Sequence, residues 1–221
     1  MVYPNEFEAK ALIVEFGRRC YERGLVSGNE GNLSCRVGEN EVWCTPTMES
    51  KGYLTADMLI KVDLNANVLN STSYKPTSEI KMHLGIYQEN PEAIAVIHTH
   101  AQTATAFACC GKPVPSKMLP EAAIIFGAQI DIAPYGTPGT FEIPDGVRPF
   151  AKKAKAVLLE NHGALTWGPT MKDAYFTMET LENYCKIYKT AYLELGGAHD
   201  VPRGIDEMLK LHEMITWNGV K

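Results

Sequence analysis

The sequence predicts a three-layer α/β or α+β domain built around a mixed sheet. Three observations carry that expectation. Helical patterns alternate with short strands along the whole chain. Several strands come as hairpins joined by tight polar turns, which forces antiparallel pairing. Two continuous apolar runs, 93–97 and 156–159, read as strands buried on both faces. No repeat, low-complexity tract or shift in composition divides the 221 residues, so residues 1–221 are expected to form one domain.

The elements follow in order. Pro4 suits a helix start, and residues 5–23 carry a stripe of Phe7, Ala11, Val14, Arg18 and Tyr21, widened by Leu12, Phe16 and Arg19, until Gly24 supplies a stop. Residues 27–34 hold two glycines and two asparagines. Such a loop can turn backbone N–H groups inward as an anion nest; taken by itself, a plain helix-to-strand connection is the better explanation. Residues 33–37 and 41–44 alternate as a hairpin, and Thr45-Pro46-Thr47 follows as an extended segment with two hydroxyls. Thr55 caps a helical turn over 55–58, residues 59–64 form a strand, and 65–67 turn the chain toward a return strand at Val68-Leu69.

Pro76 followed by Thr77, Ser78 and a helical pattern marks a helix N-terminus. The free N–H groups and dipole there suit a phosphate, although an ordinary hydroxyl cap with Glu79 as a first-turn acid accounts for the same residues. His83, four residues from Glu79, is a further metal-ligand candidate, with hydrogen bonding or packing as its simpler role. Beyond the first buried strand, 102–110 is a small-residue helix. Pro120-Glu121 opens another over 122–126, 130–133 is a short strand, and 145–154 is helical. After the second buried strand, 165–168 turns back. Thr170 begins a long helix to about residue 195, ended by Gly196-Gly197, and a short helix and coil close the chain.

Composition narrows the function. Hydrophobic residues make up 45% and charged residues 21%, the balance of an ordinary globular protein. The net charge of −5 argues against a nucleic-acid partner, which requires a basic surface. No apolar run is long enough to cross a bilayer, and the N-terminus lacks a signal peptide's pattern. The six cysteines form no Cys-X-X-Cys pair and read as reduced thiols, mostly core, in a cytoplasmic protein.

Chemistry concentrates at two strand ends. Residues two apart on a strand face the same way, so His98 and His100 project together beyond the first apolar run. Neutral imidazoles suit zinc, and a catalytic zinc takes three protein ligands, so the pair predicts a third donor. Structural hydrogen bonding at a strand end is the competing explanation, and the pair alone does not separate the two. His162 ends the second apolar run in the same way and is the candidate third donor.

Taken together, Gly31-Asn32-Leu33-Ser34, Thr45-Pro46-Thr47, Pro76-Thr77-Ser78-Glu79, His98-Thr99-His100, Pro134-Tyr135 with Gly139-Thr140, and Asn161-His162-Gly163 resemble, in order, the class II aldolase/adducin family, and within it the fuculose-phosphate aldolase branch. The resemblance implies a three-layer α/β/α fold with a central mixed, mostly antiparallel sheet. It implies Zn2+, or another divalent cation such as Mn2+ or Co2+, held by His98, His100 and His162 with Glu79 as a further candidate ligand. It implies a substrate pocket from Gly31, Asn32, Thr47, Met48, Thr77 and Ser78, and a homotetramer with active sites between subunits.

The implied reaction is cleavage of a ketose 1-phosphate to dihydroxyacetone phosphate and an aldehyde through an enediolate. Glu79 would be one catalytic acid–base group. Glu121, where the aldolases place a tyrosine, would be the other. Met48 departs from the family's glycine after Thr-Pro-Thr. Sugar-phosphate decarboxylases, dehydratases and 4-epimerases are the alternatives on such a site. A non-catalytic scaffold like the adducin head needs neither the histidine triad nor Glu79.

Overall fold

A computed structural model describes residues 2–215. Its elements are α1 (Glu6–Glu22), β1 (Asn32–Gly38), β2 (Glu41–Cys44), β3 (Ile60–Val62), α2 (Ile80–Glu89), β4 (Ala95–Thr99), α3 (Gln102–Cys109), β5 (Val114–Pro115), α4 (Pro120–Phe126), β6 (Gln129–Ile130), β7 (Ile132–Ala133), α5 (Glu142–Val147), β8 (Ala156–Leu159), β9 (Gly163–Gly168), α6 (Met171–Lys189) and α7 (Ile205–Ile215). A central seven-stranded sheet runs β3-β2-β1-β4-β9-β8-β7, and β5 pairs with β6 apart from it. Every neighbouring pair in the large sheet is antiparallel except β7 with β8. The sheet is therefore mixed and mostly antiparallel, as expected.

Strand alternation sends side chains into two separate cores, one on each face, which makes the three layers. Leu33, Cys35, Ala95, Ile97, Leu158 and Ala164 pack with α1, α3, α4 and α6. Val96, Val157, Leu159, Leu165 and Trp167 pack with α2 and α5. The runs at β4 and β8 are unbroken apolar sequence because both faces are covered.

Several elements differ from their sequence expectation. In α1 the buried face is Ala9, Ile13, Phe16, Gly17 and Cys20, not the stripe through Phe7 and Tyr21. Phe7 is 82% exposed. The real face combines Ile13 and Phe16, the latter on the edge of the expected stripe, with the small residues Ala9, Gly17 and Cys20 that let the helix approach the sheet. Residues 55–58 form a hydrogen-bonded turn rather than a helical turn, with the Met58 N–H on Thr55 O at 3.2 Å. Helix α2 begins at Ile80, so Thr77, Ser78 and Glu79 precede it. The expected strand 130–133 is split into β6 and β7, and the helix over 145–154 is α5 followed by a 3-10 turn, Arg148–Phe150.

Helix α3 lacks a side-chain cap of its own. Glu182 of α6 supplies one, accepting from the Thr103 and Ala104 N–H groups at 2.9–3.1 Å. The start of α3, directly after His100, is thereby fixed to α6. All six cysteines are free thiols. Cys20, Cys35, Cys44 and Cys185 are buried, and Cys109 and Cys110 are exposed.

Candidate metal centre and active site

The antiparallel register of β4 and β9 aligns Thr99 with Ala164, and that of β8 and β9 aligns Leu159 with Gly163. His98 and His100 at the end of β4 thus meet His162 in the β8–β9 turn. Asn161 takes a left-handed backbone there, with φ of 54°. Gly163 must be glycine, because a Cβ would lie 2.6 Å from Thr99 O and 2.9 Å from the His100 ring. The three ring centroids are 4.8–5.3 Å apart, and one ligand atom from each histidine lies within 4.8 Å of the others.

Glu79 faces this cluster from the turn before α2. Its Oε1 lies 2.9 Å from His162 Nε2 and its Oε2 lies 3.4 Å from His98 Nε2. His98 Nδ1 donates to Ala164 O at 2.9 Å, which leaves Nε2 as a lone pair. Among the described residues that nitrogen is buried with no hydrogen-bond partner, as is Glu79 Oε1. Unsatisfied acceptors gathered in one buried cluster are satisfied by a cation. The donor set therefore fits a divalent metal ion.

Electrostatics agree. Burial, with the neighbouring imidazoles, pushes His98 down to about 4 against the pull of Glu79. His100 is lowered chiefly by burial and then by His162. Burial would raise Glu79, but His98, His162 and the Asn32 amide outweigh it and hold the carboxyl below its usual range. His98 and His100 are thus held neutral and Glu79 ionised, the protonation states a metal requires.

Of the residues expected to bind substrate, Asn32 and Gly31 lie against this centre. Asn32 Nδ2 donates to Glu79 Oε2 at 2.8 Å. Gly31 has φ of 74°, and a Cβ there would lie 2.9 Å from His98 O. An isolated bridge between Pro46 and Pro76 draws the two hydroxyl segments together. Its hydrogen bonds run from Thr47 N–H to Lys75 O at 3.0 Å and from Thr77 N–H to Thr45 O at 3.1 Å. Thr77 is buried and Ser78 exposed. Met48 has φ of 63°, a left-handed conformation that explains a glycine preference at this place. Its side chain is exposed, with Sδ 3.6 Å from Asn29 Nδ2.

Other expected residues stand apart. The backbone nest at 27–28 is filled by the chain's own Glu30, which accepts from Ser27 N–H and Oγ and from Gly28 N–H. Glu121 lies exposed in the first turn of α4, a helix packed on α6, α7 and β6. His83 is buried behind Asn32 rather than at the triad, with its Nε2 2.6 Å from Asn32 Oδ1.

One residue escaped the sequence reading altogether. Lys51 is 1% exposed, and its Nζ donates to Asn29 O at 2.7 Å and to Glu49 O, tying the 27–32 loop to the segment after Thr47. Burial lowers it to about 8, against Glu30, Glu49 and Glu79. A lysine in the polar stretch Glu49-Ser50-Lys51-Gly52 carries no local signal of burial.

Residues 11–189 match the family described as Class II Aldolase and Adducin N-terminal domain. The 3-oxo-tetronate 4-phosphate decarboxylase of Haemophilus influenzae is 35% identical over 189 residues, covering 84% of this chain and 89% of the relative. The L-fuculose phosphate aldolase of Methanococcus maripaludis is 35% identical over 178 residues, covering 79% and 94%. A solved structure of L-fuculose 1-phosphate aldolase superposes with a TM-score of 0.84 at 28% identity, covering 93% of this chain and 95% of that one. With the fold, the matching sequence and the complete donor set in agreement, the chain belongs to the class II aldolase and adducin family, as one of its lyase-type enzymes.

Proposed function

We propose that this enzyme cleaves the carbon–carbon bond beside the ketone of a ketose 1-phosphate of the fuculose-phosphate type, giving dihydroxyacetone phosphate and an aldehyde. The observation that carries the reading is the convergence of Glu79 with His98, His100 and His162 around unpartnered acceptor atoms. A divalent ion held there, zinc by the donor set with Mn2+ or Co2+ as alternatives, supplies a Lewis acid for the substrate oxygens on which negative charge develops.

The chain's own groups divide the remaining work. Glu79, with Oε2 held by Asn32, uses Oε1 to give and take the proton at the substrate carbon. Gly31, Asn32, Thr47, Met48, Thr77 and Ser78 line the substrate, with backbone N–H groups and hydroxyls taking the phosphate. Binding the phosphate orients the scissile bond over Glu79. Glu121, contributed by a neighbouring subunit of a homotetramer, handles the proton on the aldehyde oxygen. Its exposure in the single chain is what such a shared site requires.

A second reading is decarboxylation of a phosphorylated 3-oxo acid. Release of carbon dioxide needs no donor for an aldehyde oxygen, so this reading leaves Glu121 without a required role. The relative from Haemophilus influenzae is named for that reaction. The test is to give the metal-loaded protein ketose 1-phosphates and phosphorylated 3-oxo acids in parallel. Triose phosphate from a ketose 1-phosphate is expected. Carbon dioxide from the oxo acid, with no triose phosphate from any ketose, would replace aldol cleavage by the second reading. Neither product, with metal bound, would end both.

A further inference from the structure

Behind Glu79 a buried chain of hydrogen bonds interleaves α2 with β1. Glu79, His83 and Tyr87 are spaced four apart, and Asn32 and Ser34 two apart. Four residues of helix rise about 6 Å and two residues of strand about 6.6 Å, so the two rows mesh like teeth. The sequence of contacts is Glu79 Oε2 to Asn32 Nδ2 at 2.8 Å, Asn32 Oδ1 to His83 Nε2 at 2.6 Å, His83 Nδ1 to Ser34 Oγ at 2.7 Å, and Ser34 Oγ to Tyr87 OH at 2.8 Å. His83 and Ser34 are fully buried, and Tyr87 and Asn32 are 1% and 3% exposed, so water does not substitute for any partner.

The donors and acceptors have one consistent assignment. A carboxylate only accepts, so Asn32 must present its NH2 to Glu79; the flipped amide would set two acceptors 2.8 Å apart. Asn32 Oδ1 then faces His83 and accepts, so His83 Nε2 carries the proton. A neutral imidazole has one N–H, which makes Nδ1 an acceptor and obliges Ser34 to donate to it. The Ser34 oxygen in turn accepts from Tyr87, whose other acceptor, Ile94 O, is farther away at 3.4 Å.

We infer that His83, locked in its Nε2–H tautomer by Ser34 and Tyr87, is a positioning residue that sets the Asn32 amide so that Glu79 Oε2 is gripped and Oε1 alone is left for proton transfer. The catalytic consequence rests on the acid–base role proposed for Glu79; the tautomer does not.

The test has two arms. Nitrogen NMR of 15N-histidine-labelled wild-type protein, with and without zinc, reads the His83 tautomer directly; the His83 signal is identified by its loss in His83→Gln. The Nε2–H form is expected, and an Nδ1–H form overturns the inference without need of any other variant. In the second arm, Ser34→Ala removes the donor to Nδ1 and Ser34→Thr keeps it. Ser34→Ala should show a mixed tautomer and a kcat lower on the order of tenfold or more with little change in KM, and Ser34→Thr should recover both. Wild-type kcat in Ser34→Ala, or no recovery in Ser34→Thr, overturns the positioning role. If Glu79→Gln proves fully active while His83 is in the Nε2–H form, the acid–base reading of Glu79 falls and the tautomer assignment stands.

Discussion

Asn32 and Glu79 show how much of this site is decided by which atom of a side chain is already engaged. With Oε2 held, Glu79 has one oxygen free beside the histidines. Glu79→Gln should therefore retain bound metal, by elemental analysis, while turnover falls roughly 10²- to 10⁴-fold; normal turnover would remove Glu79 from its role. His83 gives a pH test. Burial, then His98, pushes it down to about 3 from 6.5. Between those values the unfolded chain binds more protons than the folded one, so the neutral histidine's contribution is complete above pH 6.5 and is lost as pH falls. Urea unfolding of metal-free protein from pH 6 to 5 should show wild type losing up to about 1.4 kcal/mol more stability than His83→Gln; equal losses would mean His83 is not held neutral. The triad was legible in the sequence because a strand fixes where its side chains point and both strands are plain apolar runs. Lys51 and the partners of His83 were not, because burial of a polar residue depends on which distant segment folds over it.

At the scale of elements, the β8–β9 turn places His162, and it does so through Gly163. Gly163→Ala must displace Thr99 O or the His100 ring. The expected cost is about 1–3 kcal/mol in denaturant unfolding, together with weaker zinc affinity by competition with a chelating dye; wild-type values for both would show that the turn can yield. Strands and hairpins were legible from alternation and turn residues, and helices α3, α4 and α6 from caps and breakers. The face of α1 was misassigned because Ala9, Gly17 and Cys20 bury well yet stand out little in a pattern search. The start of α2 was placed early because Pro76, Thr77 and Ser78 carry the residue types of a helix start, while Pro76 and Thr77 serve the bridge between 45–47 and 75–77 instead.

For the molecule as a whole, the three layers were legible because two doubly buried strands require helices on both faces. What a single chain leaves open is Glu121. If the proposed tetramer shares its sites, Glu79→Gln and Glu121→Ala subunits, each inactive alone, should regain about a quarter of wild-type activity when mixed and reassembled; no recovery would place both groups in one chain or drop Glu121 from the reaction. The alignment of β4 with β9 has one more consequence. His98 and His100 end one strand and His162 stands at the mouth of its neighbour, so a bound ion would rivet the open tips of a ladder whose middle is already secured by backbone pairing. Stripping the ion should then raise amide hydrogen exchange at 99–101 and 162–164 while leaving Val96 and Trp167 as slow as before, a local fraying of two strand tips rather than a weakening of the sheet.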